Sequence, residues 1–209
     1  MKNRNRDRRS AGFSMIELLV VLALAAILMS FGIPALLSSM RQAKLRGVAN
    51  STLSLMRQAR LDAIKSGGQG IVQLVPPEDP EVDLPMVLAY SDRNSNEIFD
   101  DGEPEIGRIV VPNGVRFLAP PDEEDEDSVK GFTEDPENDI PIAVFTGNGS
   151  IDTAGAFRFG DVRGNFLEVR VRNTAGQMVI RKCRECEADD PDDWFVNKEG
   201  EEGEAWTWK

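Results

Sequence analysis

Gly12-Phe13-Ser14-Met15-Ile16-Glu17, running directly into the apolar stretch Leu18–Leu37, is the part of the chain whose reading decides the fold. The stretch holds 20 residues and is interrupted only by Ser30, Gly32 and Pro34. That length spans a bilayer core as a single helix, in which every backbone group is satisfied internally. A general secretory signal has a shorter apolar region that ends at a small-residue cleavage site. Here the small residue, Gly12, comes first, so cleavage after it leaves the hydrophobic helix on the mature chain. Upstream, Lys2, Arg4, Arg6, Arg8 and Arg9 are balanced only by Asp7, which favours a cytoplasmic N-terminus and an exported remainder. Arg41, Lys44 and Arg46 follow the span closely and oppose that asymmetry.

Glu17 stands at the edge of the span. A carboxylate there is costly unless something neutralises it. Two readings are open from position alone: an interfacial glutamate helped by the helix N-terminal dipole, or a group that some partner neutralises.

Outward from the span the helical pattern continues. Leu45, Val48, Thr52, Leu55, Ala59 and Ala63 recur at steps of three and four, with Arg41, Arg46, Arg57 and Arg60 elsewhere on the helix. Gly67-Gly68 stops it, as a C-terminal cap would. From Phe13 to Ser66 this predicts a helix of about 80 Å at 1.5 Å per residue.

Strand patterns follow at Ile71–Val75, Met86–Ser91, Ile106–Val111, Val115–Leu118, Ile142–Phe145, Ala156–Phe159, Phe166–Arg172 and Gln177–Lys182. Phe166–Arg172 alternates between Leu167, Val169 and Val171 on one face and Glu168, Arg170 and Arg172 on the other. Asn173-Thr174-Ala175-Gly176 turns it into the next strand as a hairpin. One long helix and several antiparallel strands make an α+β domain. The expected organisation is a leader at 1–12, a membrane or filament-core helix at 13–40, and an α+β domain at 41–186. In that domain the helix runs to about 66 and strands begin at about 70, before a Trp-containing acidic tail at 187–209. Pro120–Pro136, with its Asp122–Asp127 run, and the tail read as poorly ordered. Trp194 and Phe195 are expected to dock, on the sheet or on a partner.

Composition narrows the function classes. The 209 residues carry 24 basic and 36 acidic groups, a net charge of −12, and no histidine. Without the leader the balance becomes 19 basic against 35 acidic, or −16, which disfavours nucleic acid and suits cations or basic partners. Without histidine, a nucleophile elbow or a phosphate-binding loop, no catalytic set presents itself, and the chain reads as a non-enzyme.

Cys183 and Cys186 cannot complete a four-ligand zinc site by themselves. In an oxidising compartment they are expected to form a disulfide loop in a turn, with the last strand ending near Lys182. Asp92, Asn94, Asn96, Ile98, Asp100 and Glu103 hold positions 1, 3, 5, 7, 9 and 12 of a twelve-residue window, the ligand spacing of an EF-hand-like calcium loop. Glu97 occupies position 6, where glycine normally permits the turn. An Asx-rich hairpin that needs no metal explains the same residues. No cofactor is required, and calcium is the candidate.

The basic leader, Gly12-Phe13-Ser14-Met15-Ile16-Glu17 and the apolar run together resemble the class III signal of type IV pilins and pseudopilins. The resemblance implies cleavage between Gly12 and Phe13 by a prepilin peptidase and N-methylation of Phe13. Glu17 would meet the N-terminal amine of a neighbouring subunit, and Pro34 would kink the helix. Met56–Gly67, Ala89–Asn94 leading to Asp101-Gly102-Glu103, and Phe157–Arg181 are similar to H-type minor pseudopilins, the GspH/FimT family. Tyr90 stands where that family often has tryptophan, and the acidic insert and tail exceed its usual pattern.

What this implies is a single-pass protein of the bacterial inner membrane with a periplasmic body, assembling with other pilins through its N-terminal helix. The implied role is a minor subunit of a type II secretion pseudopilus that supports protein secretion. The alternatives are a minor pilin of type IV pilus biogenesis, or a FimT-like DNA-binding pilin of natural transformation. In the last case Arg170, Arg172, Arg181, Lys182 and Arg184 would form the basic patch.

Overall fold

The computed structural model describes residues 13–77, 84–117, 129–136, 140–183 and 194–195. Gly12 and the rest of the leader, the Asp122–Asp127 run, Arg184, Cys186, Trp206 and Trp208 lie outside these. The chain divides into two compact units, one ending at Met40 and one beginning at Arg41. A single helix, α1 (Met15–Ser66), contributes to both.

In the first unit α1 begins on Ser14, whose Oγ accepts the backbone N–H of Glu17 at 3.2 Å. Ser14-Met15-Ile16-Glu17 thus has the order of a capping box, and a glutamate in the first turn complements the helix dipole. The backbone stays helical through Pro34. The apolar window is long enough to cross a membrane, and none of it is buried within the chain.

In the second unit α1 buries one stripe, Leu45, Val48, Ala49, Thr52, Leu55, Met56, Ala59 and Ala63, which contains the spacing read from the sequence. It ends at Gly67, whose φ of 72° and N–H donation to Ala63 O at 2.8 Å form a left-handed cap.

The strands that follow are β1 (Gln69–Val75), β2 (Met86–Asp92), β3 (Glu105–Val110), β4 (Val115–Phe117), β5 (Val129–Lys130), β6 (Thr133–Glu134), β7 (Pro141–Phe145), β8 (Ala156–Asp161), β9 (Phe166–Val171), β10 (Met178–Cys183) and β11 (Trp194–Phe195). One sheet has the order β3-β2-β1-β7-β6. The other has β11-β10-β9-β8-β4, with β5 also on β8. Every pairing is antiparallel.

The second half of α1 and one face of each sheet share a single apolar core, including Val72, Val87, Phe145, Phe157, Phe159, Leu167 and Val169. Helix and sheet approach closely at Gly70, where an added Cβ would lie 2.2 Å from Ala59 O. Only glycine lets β1 pass that near the helix. Arg60 ties the helix to both sheets. Its guanidinium donates to Gly149 O at 2.6 Å beyond β7, and to Ala175 O at 2.9 Å and Gly176 O at 3.2 Å in the β9–β10 hairpin.

The eight expected strands are all present, within one or two residues of their expected ends. Three were not anticipated. β5 and β6 fall inside Pro120–Pro136, which corrects the expectation of disorder for its second half. Phe132 is buried there and packs on Phe157 with ring centroids 4.7 Å apart, and Asp135 is buried as well. β11 places Trp194 and Phe195 in register with Cys183 and Lys182, as a short strand at the edge of the second sheet. β10 runs one residue further than expected, to Cys183. The disulfide expectation rests on Cys186 and so falls outside the described residues.

Candidate functional site

The apolar end of the chain is built from residues 13–40. Phe13 is 81% exposed and Phe31 77% exposed, with Ile16, Leu28 and Met29 likewise bare. An uninterrupted apolar surface of this size requires lipid or other helices around it. Four residues before Pro34, Ser30 Oγ donates to Ile27 O at 2.7 Å. The proline has no N–H to offer Ser30 O, so the helix loses one bond at that point. Glu17 has its backbone N–H on Ser14, and the residue is exposed.

Between β2 and β3, Asp92–Glu103 forms a closed turn. Asp92 is buried and accepts the N–H groups of Ser95 at 2.6 Å and Glu97 at 2.8 Å. Asp100 Oδ2 receives the amide groups of Asn94 at 2.9 Å and Asn96 at 2.7 Å, which lowers its pKa below the usual 3.8. Glu103 accepts N–H from Arg93 at 2.9 Å and from Asp100 at 3.2 Å. Glu97, at position 6, has φ of 64°. It therefore adopts the left-handed backbone that glycine supplies in such loops, at a cost for a residue with a Cβ.

The fit to calcium is partial. The backbone follows the loop, but Asn94 and Asn96 direct N–H rather than oxygen at Asp100. Among the described residues no group of three or more Asp, Glu, Cys or His side chains is arranged to hold a metal ion.

The turn also covers the face of the first sheet that looks away from α1. Tyr90, Ile71, Leu88, Ile142 and Val144 form a second apolar cluster there. Phe99 packs on Tyr90 at 4.9 Å, and the Tyr90 hydroxyl donates to Glu97 O at 3.1 Å. Burial, then the Asp92 charge, hold the phenol proton on well above its normal range.

The proposed basic patch has a different fate from a solvent-facing one. Glu168 is fully buried and stands in register between Arg158 on β8 and Arg181 on β10. Arg181 Nε donates to Glu168 Oε1 at 2.6 Å, and Arg170 Nε reaches the same oxygen at 3.1 Å. Arg158 Nε lies 3.6 Å from Oε2, an ion pair too long for a hydrogen bond. Arg158 is 1% exposed and Lys182 5% exposed. Burial is the main cause of a lowered Arg170 pKa, with the nearby Arg181, Arg158 and Arg172 charges adding to it. Of the described patch residues, only Arg172 is well exposed. Sequence alternation put Glu168, Arg170 and Arg172 on one face but carried no sign that this face is covered. The signal that was available is the Arg–Glu–Arg row across β8, β9 and β10.

Residues 7–33 match the prokaryotic N-terminal methylation motif. The chain carries a prepilin-type N-terminus. That supports a type IV pilin-like protein, and the prepilin motif implies processing by prepilin peptidase and assembly with other pilins. With the apolar helix beside it, the motif also points to membrane anchoring. The match ends at Ile33, so the body rests on its own α+β structure, which is consistent with a pilin-like fold. No curated protein and no solved structure matches the chain.

Proposed function

We propose that the chain is an H-type (GspH/FimT) minor pseudopilin that joins a type II secretion pseudopilus. The observation that carries this reading is the methylation motif at 7–33, set on an apolar helix that continues directly into the core of an α+β body. Prepilin peptidase would cut between Gly12 and Phe13 and leave Phe13 as the N-methylated terminus. The helix then anchors the subunit in the inner membrane, with its body in the periplasm, until it enters the filament. There the Glu17 carboxylate meets the terminal amine of a neighbour, an attraction much stronger in an apolar core than in water.

The burial of Arg158 and Lys182 and the pairing of Arg181 with Glu168 favour filament assembly over DNA capture by this face. A minor pilin of type IV pilus biogenesis is the nearest alternative, and the genes beside this one discriminate between the two machines. The assembly chemistry needs no cofactor.

Glu17→Ala tests the role directly. The variant is expected to reach the membrane with an unchanged body melting temperature yet to fall at least about tenfold in filament incorporation, a loss typical of removing one member of a desolvated charge pair. Incorporation at the wild-type level would remove Glu17 from the mechanism.

A further inference from the structure

The chain holds two Asn-Gly pairs, Asn113-Gly114 and Asn148-Gly149. A side-chain amide followed by glycine is chemically labile. The backbone nitrogen of the second residue attacks the amide carbon, and glycine has no Cβ to hinder the rotation that this requires. In a folded chain the outcome depends on how firmly the amide and that nitrogen are held. Asn148-Gly149 is held on both sides. Asn148 Oδ1 accepts the N–H of Ser150 at 2.8 Å and the hydroxyl of Thr146 at 2.7 Å. Gly149 N–H donates to Thr146 O at 2.8 Å, so the attacking nitrogen is already engaged. Attack there must break all three of these bonds. Gly149 O also accepts from Arg60 Nε at 2.6 Å, and a Cβ built on Gly149 would meet Ile64 Cδ1 at 2.8 Å. This pair is tightly enclosed.

Asn113-Gly114 is open. It forms the turn between β3 and β4, closed by Val115 N–H donating to Pro112 O at 3.1 Å. Gly114 takes the positive φ, 94°, that such a turn needs at its third residue. Both residues are exposed, and a Cβ built on Gly114 would meet nothing within 4 Å. Among the described residues no group bonds the Asn113 side-chain amide or the Gly114 N–H. The peptide group between them is tied at its oxygen, where Lys44 Nζ of α1 donates to Asn113 O at 3.3 Å.

We propose that Asn113 is a site of covalent self-modification, its amide converted through a cyclic imide to a carboxylate, while Asn148 is protected by its hydrogen bonds. The Gly114 nitrogen forms a bond to Asn113 Cγ, the Cγ–Nδ2 bond breaks, and the proton from Gly114 leaves with the amide as ammonia. One water then opens the imide. Addition at Cγ restores the original backbone and leaves an aspartate. Addition at the Asn113 main-chain carbonyl routes the backbone through the side chain and leaves an isoaspartate. The free carboxylate of that second product contains the oxygen to which Lys44 now donates. Either product gives the turn one negative charge beside Lys44, and water is the only co-reactant. The site does not depend on which filament the chain joins.

The test follows the full chain in detergent micelles, held at mildly alkaline pH in water enriched in oxygen-18. Peptide mapping by mass spectrometry, with fragmentation that separates aspartate from isoaspartate, reads both Asn-Gly sites in one sample. Asn113 should convert at least about tenfold faster than Asn148, because each hydrogen bond that must open at Asn148 slows the attack. Each converted Asn113 should carry one oxygen from the solvent. Unfolding the chain in urea should bring the two rates together, since the protection of Asn148 comes from the fold. Asn113→Gln should abolish conversion in this turn and leave the slow rate at Asn148 unchanged. Equal rates in the folded chain, faster conversion at Asn148, or an Asn113 that stays intact when folded would overturn the site. Rates that stay about tenfold apart in urea would overturn the protection of Asn148 by its hydrogen bonds.

Discussion

Glu97 holds a left-handed backbone at a position where a Cβ is a liability, and its carboxyl is crowded as well. Burial, followed by the charges of Asp152 and Asp92, raises its pKa above the usual 4.5. The folded state therefore holds this proton more tightly than the unfolded chain does. Its ionised form costs stability at neutral pH, and that cost is relieved as pH falls through the raised value. Glu97→Gln should flatten this part of the pH dependence of melting, on the alkaline side of the usual 4.5. Glu97→Gly should do the same and also relieve the backbone. About 1–2 kcal/mol of left-handed strain set against roughly 0.5–1 kcal/mol of glycine entropy leaves a net gain of about 0.5–1 kcal/mol in urea unfolding.

Arg60 shows the opposite case, a charged residue that the fold depends on. Its three carbonyl partners lie on turns of different sheets. Arg60→Ala is expected to cost about 2–3 kcal/mol, with lysine recovering only part of that because it lacks the planar fork. From sequence Arg60 was legible only as a polar position on the helix. What it grips is separated from it by 89 to 116 residues, a relation that periodicity does not carry. Glu168 was hidden for a related reason, since alternation tells which face a side chain takes and not whether that face is wet.

At the level of elements, long patterns were readable and short ones were not. The 52 residues of α1 repeat their apolar stripe often enough to be unmistakable, and Gly67 punctuates the end. β5 and β6 have two residues each, too few for a period of two to register, and they lie beside an acidic run that argues against burial. Phe132 was the available clue. The Asp92–Glu103 turn was placed correctly between strands, but its oxygens turn out to be engaged with backbone and amide N–H groups. Calcium would have to displace two amide donors from Asp100. Millimolar calcium is therefore expected to move the melting temperature of the chain by no more than about 1 °C. A rise of several degrees, as linkage requires for a saturated site, would establish the turn as a calcium loop.

On the scale of the molecule, one helix serves two environments. Up to Met40 it exposes apolar side chains in every direction, and from Arg41 it buries a single stripe against two sheets. The division was legible because the apolar run ends at charged residues. The partition of strands between two sheets was not, since neighbours such as β1 and β7 are far apart in the chain. Everything proposed for the first half presupposes one covalent event, cleavage that exposes Phe13.

Intact-mass analysis of the chain made in a host with an active prepilin peptidase measures that event directly. The account predicts a mature species that begins at Phe13 and carries one added methyl group on its terminal amine. A chain that keeps residues 1–12, or is cut on the far side of the apolar run, would contradict it.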